Sequence, residues 1–127
     1  MKLVQIKAGE NKGHYSPGII SNGTLYISGQ LSLDLDTREV VKGGIRAHIR
    51  KCLENIDKVL QAAGASRENV IFCRVYINGM DNWDEANKEY MEFFGAHKPA
   101  RIVVSTSELH FGCLAEIEAV AEVKEEH

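Results

Sequence analysis

The sequence is poor in the features that mark several large classes of protein. Its 127 residues include only two prolines and three cysteines, and no two cysteines are spaced as CxxC. Cys52, Cys73 and Cys113 are odd in number and scattered, which argues against a disulfide framework. The five histidines (His14, His48, His97, His110 and His127) share no short ligand motif, so no metal centre is expected. No run approaches the ~18 apolar residues of a membrane span. The opening MKLVQIKAGENKG lacks the apolar core of a secretory leader, so a reducing cytoplasm is the expected setting. A basic face is missing too. Fifteen Lys and Arg against eighteen Asp and Glu give a net charge of -3, with one short basic cluster at Arg46, Arg50 and Lys51. Nucleic acid is therefore not an expected partner, because phosphate contacts dominate such binding. Gly43-Gly44 runs into Ile45-Arg46 and makes no phosphate loop. No GxSxG elbow occurs, which excludes the common serine hydrolases.

What is present reads as one globular domain over residues 1–127, with 44% hydrophobic and 26% charged residues. Leu3 to Ile6 predicts a short strand, followed by a polar stretch containing Gly9 and Gly13. Asn22-Gly23 between apolar runs predicts a hairpin, with its second strand from Thr24 to Ser28 ended by Gly29. Residues 32 to 41 read as a loop with a turn at Asp36-Thr37. From Gly43 to Ala63, Ile45, Ile49, Cys52, Leu53, Ile56, Val59 and Leu60 recur every three or four residues, predicting a helix closed by Gly64. Val70 to Ile77 is a strand by its β-branched and aromatic content. Asp81 is the expected N-cap of a second helix, with Trp83, Ala86, Tyr90 and Phe94 on its buried stripe and Gly95 and Pro99 after it. Arg101 to Ser105 and Leu114 to Val123 are the last strands. About six strands and two helices predict an α+β fold, a mixed sheet with both helices on one face.

The alternation in these strands carries a further expectation. In the last strand Ala115, Ile117, Ala119 and Ala121 point one way, and Glu116, Glu118 and Val120 the other. In Val70 to Ile77 both faces carry large apolar groups: Ile71, Cys73, Val75 and Ile77 on one, Val70, Phe72 and Tyr76 on the other. Helices covering one face would leave Val70, Phe72 and Tyr76 as an open apolar patch. A homo-oligomer packing sheet against sheet is the expectation.

The candidates for chemistry are polar residues in apolar company. Arg101 opens a strand after Pro99-Ala100, and its guanidinium offers a fork of donors for a carboxylate. A structural ion pair would explain it equally well. Glu116 and Glu118 fall on the open face, where a carboxylate needs water or a partner, and a suitably tuned one can direct a water as general base. Asn87 lies at helical spacing between Trp83 and Tyr90, where satisfying loop backbone groups is its expected job and substrate contact the alternative. His48 is expected to be solvated. Cys113 has no identifiable base and reads as a packing residue.

These residues, in this order, resemble the reactive-intermediate deaminase family, also called YjgF or L-PSP. The resemblance spans nearly the whole chain. It rests on Gly13-His14-Tyr15-Ser16-Pro17-Gly18, Leu25-Tyr26-Ile27-Ser28-Gly29-Gln30, Asn55-Ile56 to Gly64, Asn87 with Tyr90 and Phe93-Phe94, Pro99-Ala100-Arg101, and Glu116 to Ala121. It implies a chorismate-mutase-like fold and a homotrimer, with three sheets forming a central barrel and clefts between subunits. It implies hydrolysis of enamines and imines such as 2-aminoacrylate to 2-keto acids and ammonia, without metal or cofactor. Under the resemblance Arg101 binds the substrate carboxylate and Glu116 helps hold the attacking water, while Tyr15, Ser28, Gly29 and Asn87 line the cleft. Val103 stands where deaminases of the family carry a cysteine, and its backbone can serve in that cysteine's place. Ile102-Val103 and the loop Ser107 to Gly112, which lacks the family's proline, depart from the pattern and bear on substrate choice. Two other readings remain from the sequence: a small-carboxylate-binding or regulatory trimer, and an endoribonuclease or translation inhibitor.

Overall fold

The computed structural model describes residues 1–6 and 13–124. The polar stretch at 7–12 and His127 lie outside the described residues. Six strands form one sheet: β1 (Lys2–Val4), β2 (Gly18–Ser21), β3 (Thr24–Leu31), β4 (Val70–Asn78), β5 (Ala100–Thr106) and β6 (Ala115–Glu122). Two helices, α1 (Ile45–Ala62) and α2 (Trp83–Phe94), complete the frame. The spatial order is β1-β2-β3-β6-β4-β5, with β4 and β5 parallel and every other pairing antiparallel.

This order follows from the connections. β3-α1-β4 and β4-α2-β5 are both crossovers through a helix, and β6 inserts between β3 and β4. Crossovers of one hand that step across a sheet in one direction put their helices on one face. Ile49, Cys52, Leu53, Ile56, Val59 and Leu60 of α1 are accordingly buried against Leu25, Cys73, Ile117, Ala119 and Ala121 of the sheet. The small side chains of β6 let α1 approach closely, and each buried Leu or Ile stabilises the fold by about 1.5–3 kcal/mol. The two helices are locked together by Glu89, a buried carboxylate held by Arg46 at 3.0 Å and by Arg50. Removing either arginine leaves that charge less compensated and loosens α2, the helix that carries Asn87.

The structure corrects several expectations. β1 ends at Val4 rather than Ile6. β3 does not stop at Gly29; it continues to Leu31 through a bulge, because Ile27 pairs with Ala119 and Gln30 with Ile117, leaving Ser28 and Gly29 opposite one residue. A second bulge, between Val70 and Phe72, turns Val70 onto the helix face, fully buried, and leaves Ile71 43% exposed. The open face is therefore built on Tyr26, Phe72, Arg74, Tyr76, Glu116, Glu118 and Val120. Asp81 falls in a short 3₁₀ turn (Met80–Asn82), and Asn82 precedes the helix in place of the expected N-cap. His48 is not solvated. It is 4% exposed, and its Nδ1 lies 2.6 Å from Ser32 Oγ and 3.2 Å from the Leu114 amide, which donates to it.

Candidate active site

Arg101 sits near the start of β5, an edge strand, directly beside Cys73 of β4 and thus on the helix face. Its Nη1 donates to Asn87 Oδ1 at 2.7 Å. Its guanidinium carbon lies 4.9 Å from the centre of the Tyr90 ring and 5.8 Å from that of Trp83. Residues 83, 87 and 90 share one face of α2 by helical spacing, so one helix supplies both the aromatic cradle and the amide. Such stacking contributes about 0.5–2 kcal/mol and fixes the plane of the guanidinium. Arg46, Arg50, Arg67 and Arg74 each pair with a carboxylate. Among the described residues no carboxylate pairs with Arg101. Asn87 serves this guanidinium and not loop backbone, with its Nδ2 3.3 Å from Met91 Sδ. Val103 follows two residues on, half-buried against the core on the same face as Arg101.

Glu116 belongs to the other face. It pairs with Tyr76 of β4 and Leu31 of β3, and its carboxylate lies against the Ser28-Gly29 bulge. A Cβ on Gly29 would stand 2.9 Å from Glu116 Oε2 and 3.3 Å from its Cδ, so glycine is what allows this approach. Ser28 Oγ donates to the Ser16 carbonyl at 2.6 Å, and the Ser28 amide donates to the Pro17 carbonyl at 3.0 Å. These bonds pin the segment bearing Tyr15, whose side chain is half-exposed, to the bulge. Burial raises the Glu116 carboxyl above the ordinary carboxylate range and the nearby Glu118 raises it further, while His110 pulls slightly the other way. Glu118 is differently placed: Arg74 donates to it at 2.7 Å and Tyr76 Oη at 3.0 Å. Among the described residues no such cation or hydroxyl donates to Glu116. Cys113 is fully buried. Burial also pushes the Cys73 thiol up to about 11, away from the thiolate form.

The expected site residues therefore form two groups on one chain. Arg101, Asn87 and Val103 are on the helix face, while Glu116, Gly29, Ser28 and the Tyr15 segment are on or beside the open face. Beside the first group lies a cleft of about 430 Å³, between the C-terminal half of α2 and the segment leading into β5. Among the described residues no cluster of His, Cys, Asp and Glu is suited to holding a metal. No helix among them is long and apolar enough to cross a membrane.

A profile of the family described as Endoribonuclease L-PSP matches residues 5–123. This chain belongs to the L-PSP (RidA/YjgF) family. A RutC family protein of Pyrococcus horikoshii is 44% identical over 109 residues, covering 86% of each chain. The human 2-iminobutanoate/2-iminopropanoate deaminase is 33% identical over 109 residues, covering 86% of this chain and 80% of its own. The crystal structure of E. coli TdcF with bound serine superposes with a TM-score of 0.89 at 27% identity, covering 98% of this chain and all of that one. The α+β sheet with two helices on one face is thus the fold of this family.

Proposed function

We propose that this chain is a 2-imino acid deaminase whose sites form between copies of the chain in a homotrimer, in a reducing, cytoplasmic setting. The carrying observation is Arg101: a half-buried guanidinium, stacked on Tyr90, braced by Asn87 and unpaired with any carboxylate among the described residues. Such a group is prepared for an external carboxylate, to which Arg binds as a fork. The deaminase name of the human relative and the serine bound to TdcF both fit a small amino-acid-like carboxylate ligand better than a polymer. The open aromatic face with Tyr26 and Phe72 suits burial against a second copy. Three buried free cysteines suit a reducing compartment.

The chemistry asks little. With its carboxylate on Arg101, the imine carbon is held in place and is electrophilic, the more so once protonated. Glu116 takes a proton from a water as its oxygen bonds to that carbon. The proton passes to nitrogen, the C–N bond breaks with loss of ammonia, and the hydroxyl left on that carbon gives up its proton to Glu116 as the 2-keto carbonyl forms. The Val103 backbone and the Ser28-Gly29 bulge would bound the space available to the substrate.

Arg101→Ala, checked by circular dichroism, should lose about a hundredfold or more of its activity on freshly generated 2-aminoacrylate in a coupled dehydratase assay. Undiminished turnover would refute the reading. The serine-bound relative also favours a second reading, in which the trimer binds a small carboxylate without turnover. Calorimetry with 2-ketobutyrate separates the two: binding with no acceleration of imine loss would select that alternative.

A further inference from the structure

His48 is a buried imidazole that the chemistry above leaves unused. It stands near the start of α1 and reaches the junction where β3 stops and β6 begins. Its Nδ1 meets the Oγ of Ser32, the residue after β3, at 2.6 Å. The same nitrogen accepts from the amide of Leu114, the residue before β6, at 3.2 Å. An amide only donates, so Nδ1 is the unprotonated nitrogen, and the Ser32 hydroxyl donates to it as well. The Leu114 carbonyl in turn accepts from the Asn78 amide at the end of β4, at 3.0 Å. Leu114 is thus fixed at both of its polar groups.

That junction sets the position of Glu116. The end pair of the β3–β6 ladder is Leu31 with Glu116, and Ser32 follows the first while Leu114 lies two residues before the second. The Ser28-Gly29 bulge, against which the Glu116 carboxylate rests, lies just inside the same pair. One imidazole nitrogen therefore ties together the two segments whose spacing decides how Glu116 meets Gly29. It works from the side of the sheet that α1 covers, so it acts on Glu116 through the main chain. Arg101, on the edge strand β5 and braced by α2, takes no part in this junction.

We infer that His48 is a positioning residue for the hydrolysis: through Ser32 and the Leu114 amide it holds β6 to β3 so that the Glu116 carboxylate stays at the Gly29 bulge, and it does so only while neutral. The inference rests on the deaminase reading above and adds a part to its machinery. A proton on Nδ1 would occupy the lone pair that both donors share and set one N–H against another. Burial keeps the ring neutral by lowering its pKa, against a bond to the Gly43 backbone that raises it. The elements around the ring contribute two buried thiols, Cys52 one turn on in α1 and Cys113 beside Leu114. They also contribute Lys51 of α1 and Asp34 after Ser32, which pair with each other at 3.8 Å, and Glu116 on the far face of β6.

Two variants test this beside the native chain, with 2-aminoacrylate generated freshly and folding checked by circular dichroism. His48→Leu fills the space but accepts no hydrogen bond. His48→Asn places Oδ1 where Nδ1 stood, an acceptor that takes up no proton in the working range. At mildly alkaline pH, His48→Leu should lose about tenfold in kcat with KM changed by less than about twofold, because only the water-directing carboxylate has shifted. His48→Asn should keep kcat within about threefold of the native value. On the acid side, log kcat of the native chain should fall with a slope of about two, one proton on Glu116 and one on His48, and that of His48→Asn with a slope of about one. The slope comparison holds even where His48→Leu does not fold. Native kcat in His48→Leu, a loss that falls on KM instead, an equal loss in His48→Asn, or equal slopes for the native chain and His48→Asn overturns the inference alone. A native chain without turnover overturns the deaminase reading, and this inference with it.

Discussion

Arg101 and Glu116 stand on opposite faces of the same sheet, since Arg101 lies beside Cys73 on the face that the helices cover, whereas Glu116 lies beside Tyr76 on the face they leave open. A sheet is impassable to a small substrate. If one residue anchors the carboxylate and the other directs the water, they must come from different copies of the chain. The same relationship explains why each group is already finished locally, Arg101 by Tyr90, Trp83 and Asn87, Glu116 by the Gly29 bulge, though neither reaches the other.

Gly29→Ala should displace the Glu116 carboxylate. The added methyl meets Oε2 at 2.9 Å, closer than real Cβ contacts come, while the strand itself tolerates alanine. A shift of about 1 Å in a reacting group costs on the order of a hundredfold. Steady-state kinetics on 2-aminoacrylate should show such a loss with the circular dichroism spectrum unchanged. Wild-type kcat in this variant would detach Gly29 from the chemistry.

The acid limb of the pH–rate profile should lie above the ordinary carboxylate range. Glu116 is raised by burial and by Glu118, and only its ionised form accepts the proton, so activity falls as pH drops through the raised value. Glu118→Gln removes the like charge and should move that limb to lower pH. Rates corrected for spontaneous hydrolysis test this, and an unmoved limb would assign it to another group.

His48 should make stability depend on pH. Burial lowers its pKa below the ordinary 6.5, so the folded state holds it neutral, accepting from the Leu114 amide. The unfolded chain takes up the proton near pH ~6.5. Stability is therefore full above that pH and is lost as pH falls from there toward the lower folded value. Thermal midpoints between pH 8 and 5.5 should fall further for the native chain than for His48→Gln, and equal falls would contradict this assignment.

Much of this was legible in the sequence. The three- and four-residue spacing along α1, the Asn22-Gly23 turn and the alternation of β6 gave their elements directly, because each is set by local geometry. Arg101 and Glu116 were visible as polar residues in apolar strands. What was hidden depends on neighbours distant in the chain. The bulges at Ser28-Gly29 and Val70-Phe72 arise from pairing with β6, and no local pattern announces them. His48 looks like a surface residue on its own helix until Ser32 and Leu114 fold around it. Arg74, the one charge in an apolar strand, pairs with Glu118 across the sheet, a partnership set by the register of β4 on β6.

Subunit complementation tests the central claim most directly. Arg101→Ala keeps Glu116, and Glu116→Gln keeps Arg101, so each variant alone should be inactive. Unfolded together in equal amounts and refolded, the two should assemble at random, and about one quarter of the sites in a cyclic trimer then join an intact Arg101 to an intact Glu116 from the next copy. The account predicts recovery of about one quarter of wild-type activity. A mixture as inactive as either variant alone, in trimers shown by mass spectrometry to be mixed, would contradict it.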